Sequence, residues 1–149
     1  MEIINESKYD IKGSDGYNYL TFEKNQIFEL FDEYERILRV DTDILISPLC
    51  PNVFEMVQRE KVGVVYEDVG SRKNNRRNKI IEAQNALGNI DLTADYFNSG
   101  IIIVSKEYRK LFELTEDDIH TILTRGISDF KEQTFLNYRA HRYGFQVHA

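Results

Sequence analysis

Glu35-Arg36-Ile37-Leu38-Arg39-Val40-Asp41-Thr42-Asp43-Ile44-Leu45-Ile46, bounded by Ser47-Pro48, is the stretch that decides the fold. Its apolar run reads as a buried strand ending in an acidic turn, which puts Asp41 and Asp43 at the strand's carboxyl end. Two carboxylates one residue apart repel by ~1 kcal/mol in water and ~4 kcal/mol at an effective dielectric of about 20, so a positive group is expected to relieve them. Hard oxygen ligands suit Mg²⁺ or Mn²⁺, and such sites combine one or two protein carboxylates with phosphate oxygens and water. A nucleoside diphosphate would complete that shell. Taken alone, the tripeptide suits a capped or solvated turn better than a site.

Outward from this strand the pattern alternates. Ile27, Phe28, Leu30, Phe31 and Tyr34 recur at helical spacing before it, and Val53, Phe54 and Val57 suggest a helix after it. Lys61-Val62-Gly63-Val64-Val65-Tyr66 is a β-branched strand, and Gly70 to Asn78 reads as an exposed loop. Ile80 to Leu87 is a short helix closed by Gly88, and Phe97-Asn98-Ser99-Gly100-Ile101-Ile102-Ile103-Val104 is a second buried strand. Helices follow around 106–113 and 116–125, then Lys131 to Tyr143 with Phe135, Leu136 and Tyr138 on one stripe, then a strand beginning at 144–148. Strands alternating with helices predict one α/β domain over residues 1–149, with an open, mixed, mainly parallel sheet flanked by helices. Ligands of such sheets bind at the carboxyl ends of strands.

Composition narrows the function. With 42% hydrophobic residues in 149, the chain can bury one core, and no apolar run approaches the roughly 20 residues of a membrane helix. The start lacks a secretory pattern and Cys50 is a lone cysteine, which favours a cytoplasmic protein. A net charge of −6 argues against nucleic-acid binding, although Arg72, Lys73, Arg76, Arg77 and Lys79 crowd together; without those five the balance is 14 − 25 = −11. These cations read either as a phosphate clamp or as a solvated loop.

Three ordered blocks then resemble the GT-A glycosyltransferases, the Rossmann-like nucleotide-diphospho-sugar transferases, especially the glycogenin-like members. Tyr34 to Ile46 is similar to the family's strand and DxD motif, Tyr96 to Ile103 to its FNSG strand, and Lys131 to Asn137 to its acidic-Gln segment. The resemblance implies a hexosyl transfer from a UDP- or GDP-sugar to a glycan or protein hydroxyl, with Mn²⁺ or Mg²⁺ as cofactor and a leaning towards retention. It makes Asp43 the main metal ligand with Asp41 sharing the ion, Asn98 and Ser99 lining the donor-sugar pocket, and Lys24 a nucleotide contact. Glu132 and Gln133 become the candidates beside the reacting carbon, where a carboxylate can stabilise an oxocarbenium-like centre or take a proton.

The chain also departs from that family. No apolar strand with base-binding residues precedes Tyr17, and the final strand breaks off, so the reading expects a domain incomplete at both ends. The family's histidine ligand has no clear counterpart: His148 falls inside the last strand, while His120 and His141 are expected on helix surfaces. Two other functions fit parts of the pattern. A haloacid-dehalogenase-type phosphohydrolase also puts Asp-x-Asp after a strand, with Asp117-Asp118 imitating its second acidic pair, but Leu45 stands where that family wants Thr or Val. A sugar-nucleotide or glycan-binding relative without catalysis is the third.

Overall fold

The computed structural model describes residues 8, 9, 11, 20–92, 95–125 and 131–149. A 3-10 helix over Leu20–Gln26 passes into one α turn, α1 (Ile27–Leu30), followed by β1 (Arg36–Val40), the single turn α2 (Val53–Met56) and β2 (Val62–Tyr66). A 3-10 turn over Gly70–Arg72 leads into α3 (Lys73–Leu87), and then come β3 (Phe97–Ser105) and a 3-10 helix over Lys106–Leu111. The chain ends in α4 (Glu116–Thr124), α5 (Lys131–Arg142) and β4 (Val147–His148). The expectation about the segment before Tyr17 falls mostly outside the described residues.

The sheet is open and mixed as expected, in the order β1-β3-β2-β4. Three of its strands run one way, but β3 is inserted between β1 and β2 in the opposite direction. Among the described residues two of the three ladders are therefore antiparallel and one, β2 with β4, is parallel, so their pairing is mixed where a mainly parallel one was expected. The consequence is that the carboxyl ends of β1 and β2 meet the amino end of β3. Val40 pairs with Ile101 and Tyr66 with Phe97, so the residues leaving both outer strands converge on residues 96–100.

One apolar core fills the space between the sheet and α5, through Val62, Val64, Phe97, Ile102, Val104, Leu136 and Ala140, with Phe31 and Phe112 from the connections. A second joins α3, α4 and α5 through Ala83, Ala86, Ile122, Phe135 and Tyr138. Helix α5 belongs to both, and every residue from Glu132 to His141 is buried. His141 is 6% exposed and thus interior, against the expectation of a surface position, whereas His120 is exposed.

The basic stretch is the largest difference in local structure. Instead of an exposed loop to Asn78, the α-helix begins at Lys73 and runs to Leu87. Arg76 donates to Glu67 at 2.7 Å and Arg77 to Asp68 at 3.1 Å, and Arg77 also bridges Asp95, so acids at the end of β2 compensate the crowded positive charge. Gly88 stops the helix as expected: its φ of 105° is open to glycine, and its N–H closes on Gln84. Beyond β1, Ile44-Leu45-Ile46 is irregular rather than sheet, with Leu45 97% exposed.

Candidate active site at the end of β1

Asp41 is the first residue past β1, and its N–H donates to the Gly100 carbonyl at 2.8 Å. That register brings the acidic turn to the Asn98-Ser99-Gly100 segment. A Cβ on residue 100 would lie 2.8 Å from Asn98 Oδ1 and 3.0 Å from Asp41 Oδ2, so only glycine allows both side chains to close over this point of the backbone. Lys24, in the last turn of the 3-10 helix Leu20–Gln26, sets its Nζ 2.6 Å from Asp41 Oδ1. Its ammonium is thus the positive group beside the acidic turn. Asp43 stands two residues on in the turn, exposed, with no side-chain partner among the described residues.

Ser99, Glu132 and Gln133 come together on the other side of β3, buried. Ser99 Oγ donates to Glu132 Oε2 at 2.9 Å, and the Ser99 N–H donates to Gln133 Oε1 at 3.0 Å. One helical turn on, Asn137 accepts from the Phe97 N–H and donates to its carbonyl, both at 2.8 Å. The match is geometric: four helical residues rise ~6 Å and two strand residues ~6.6 Å, so side chains at i and i+4 of α5 meet alternate residues of β3. This pairing explains why so polar a helix can be interior. Its Gln133 and Asn137 amides satisfy β3 backbone groups beside the irregular β2–β3 ladder, and its Glu132 carboxylate takes the Ser99 hydroxyl.

Two residues that the sequence did not single out, Arg39 and Glu67, complete the arrangement. Arg39, two positions before Asp41 on β1, ion-pairs with Glu132 at 3.2 Å and donates to the Ser99 carbonyl. Both members of that pair are nearly inaccessible, at 8% and 5%. An arginine inside an apolar strand was a usable signal, since a buried guanidinium demands a partner. Glu67, immediately past β2, accepts from Gln133 Nε2 at 2.6 Å and from Arg76 at 2.7 Å. Burial pushes the Glu67 carboxyl up, but hydrogen bonds from Arg76 and Gln133, the Arg76 charge and the nearby Asn98 amide outweigh it, holding it below the usual carboxylate value.

The donor set fits a divalent cation held jointly with phosphate. Asp41 and Asp43 are two carboxylates of one turn that could each offer oxygen to such an ion, and the Gly100 cradle keeps the Asp41 carboxylate at the surface of the sheet end. Among the described residues no cluster of three or more His, Cys, Asp or Glu could hold a metal alone, so further ligands would come from substrate or water. Asp117 and Asp118 sit elsewhere, in the first turn of α4, where Asp118 and Thr115 form a reciprocal cap. Among the described residues no helix is long and apolar enough to cross a membrane.

A family model described as glycosyl transferase family 8 matches residues 2–138. No curated protein sequence matches the chain. Among solved structures it is similar to mouse xyloside xylosyltransferase 1 in its apo form, at 16% identity and a TM-score of 0.46. That alignment covers 95% of this chain and 55% of the other, so the chain spans about half the length of that structure.

Proposed function

Because the chain belongs to glycosyl transferase family 8, we propose that it moves a sugar from a nucleoside-diphosphate sugar to an acceptor hydroxyl at the end of β1. The observation that carries this reading is the convergence of Asp41 and Asn98 on Gly100, which joins the acidic turn to the FNSG segment. Asp41 and Asp43 would hold Mn²⁺ or Mg²⁺. When bound, that ion supplies positive charge to the diphosphate and so lowers the cost of its departure. Lys24 adds a second positive charge; as the diphosphate arrives, its ammonium can turn from Asp41 to a phosphate oxygen.

Asn98 borders the sugar pocket. Ser99 acts from beneath, because its hydroxyl and its N–H are committed to Glu132 and Gln133. Those two residues act from the same buried layer beneath the reacting carbon: Gln133 holds a fixed amide dipole there, and Glu132 a carboxylate whose charge Arg39 balances. In the transfer the bond between anomeric carbon and phosphate oxygen breaks and its electron pair leaves with the nucleotide. The acceptor oxygen bonds the same carbon, and its proton passes to the departing diphosphate. The donor's base and sugar, UDP- or GDP-linked, are set by groups that this site leaves open, and the acceptor is a glycan or a protein hydroxyl.

Titration calorimetry with Mn²⁺ and UDP or GDP tests the reading. Nucleotide binding should require the metal, disappear with EDTA, and be lost in Asp43→Ala. Binding that ignores both EDTA and Asp43→Ala would sink it, and phosphate release from an aryl phosphate would point to a phosphohydrolase. Metal-dependent binding without any sugar release, with or without acceptor, would leave a binding module.

A further inference from the structure

The carboxylate of Glu67 accepts from the side-chain amide of Gln133, which fixes how that amide is turned. A glutamine amide has nearly the same shape with its oxygen and nitrogen exchanged, so only its partners decide which end faces where. At Gln133, Oε1 accepts from the Ser99 N–H at 3.0 Å, and Nε2 donates to Glu67 Oε2 at 2.6 Å. A β3 N–H, which can only donate, fixes the oxygen. The nitrogen meets the carboxylate.

We propose that Glu67 is the positioning residue of the site, the acceptor that locks the amide of Gln133 in its functional orientation. Flipping that amide would set its N–H₂ against the Ser99 N–H and its oxygen against the carboxylate, replacing two bonds with two repulsions. The lock is itself anchored. Arg76 donates to Glu67 Oε1 at 2.7 Å and Arg72 lies 3.7 Å from the same atom, so Oε1 faces donors and Oε2 faces Gln133. Helix α3 thereby supports, through Glu67, the site residues of α5 and β3. The orientational claim stands on geometry alone; its effect on sugar transfer rests on the function proposed above.

The anchoring makes an unusual order of variants. In Glu67→Gln the arginines keep the new amide's oxygen at the Oε1 position, which forces its N–H₂ towards Gln133 Nε2, donor against donor. Glu67→Ala removes the acceptor but adds no repulsion, and water can take its place. The isosteric glutamine should therefore be the worse variant, whereas a residue that merely filled space would tolerate glutamine and suffer from alanine.

In ¹⁵N-labelled protein the side-chain amide signals of Gln133, identified by their loss in Gln133→Ala, should exchange slowly with water. In Glu67→Gln they should lose that protection and shift. With nucleotide-sugar and Mn²⁺, kcat of Glu67→Gln should fall about 100-fold, the scale of a ~1 Å misplacement, with donor KM little changed and Glu67→Ala between it and the wild type. Unchanged amide signals in Glu67→Gln, or alanine worse than glutamine in kcat, overturns the proposal. If the wild type transfers no sugar, the proposed function fails while the amide signals still decide this inference. Should Glu67→Gln not fold, Glu67→Ala decides: loss of protection at the Gln133 amide supports the lock and retention overturns it.

Discussion

Gly100 offers the smallest change that separates the donor site from the stability of the fold. A methyl group there would meet Asn98 Oδ1 at 2.8 Å and Asp41 Oδ2 at 3.0 Å. Overpacking of this kind costs about 1–3 kcal/mol when nothing yields. Here the two side chains can rotate away, so Gly100→Ala should lose about tenfold in affinity for nucleotide with Mn²⁺ while its unfolding midpoint moves little. Unchanged affinity would show that Asp41 and Asn98 need not close over residue 100. The residues that meet here were legible in the sequence because each lies in a short local pattern, an acidic pair after an apolar strand or Asn-Ser-Gly opening another. Arg39 and Glu67 were not, because their partners lie 93 and 66 positions away. Only the fold makes those pairs, and the sole local hint was a charge inside or just beyond an apolar run.

Helix α3 illustrates how a whole element escapes a local reading. Five cations and several asparagines in succession disfavour a helix by themselves. What lets the helix start at Lys73 is a row of acids, Glu67, Asp68 and Asp95, supplied by the end of β2 and the approach to β3. The strongest dependence is at Asp68, whose side chain is 1% exposed and pairs with Arg77. Arg77→Ala should destabilise the protein by about 1–3 kcal/mol, the cost of a buried polar group left unpaired. Arg72→Ala removes a guanidinium that is 66% exposed and 3.7 Å from Glu67, and should cost about 0–1 kcal/mol. Denaturant midpoints of the two variants test the contrast, and equal effects would mean that α3 is held by its apolar face alone. Elements whose apolar period suffices, β1, β2, β3, α4 and α5, were read from sequence nearly to their ends. The reversed direction of β3 was not, since an apolar run carries no sign.

At the scale of the molecule, α5 joins the sheet to both helical layers, and its far end carries a buried base. His141 is 6% exposed; burial lowers its pKa below the ordinary 6.5, and the negative charge of Asp95 offsets this only in part. In the unfolded chain the same imidazole takes a proton near its ordinary value, so below that pH the unfolded state binds more protons than the folded one. Stability must then rise with pH in the window just below 6.5: the residue costs nothing above it and progressively more as pH falls towards the lowered folded value. Glu67 has the same sign lower down, because a carboxyl depressed from 4.5 contributes stability that is present above that value and lost as pH falls through the folded one. The two limbs are therefore separable. His141→Gln should flatten the thermal midpoint against pH between neutrality and the carboxylate range while leaving the acid limb below 4.5 in place. The opposite slope in the wild type, a midpoint that rises as pH drops below 6.5, would mean that the folded protein prefers the imidazolium, with Asp95 outweighing the burial.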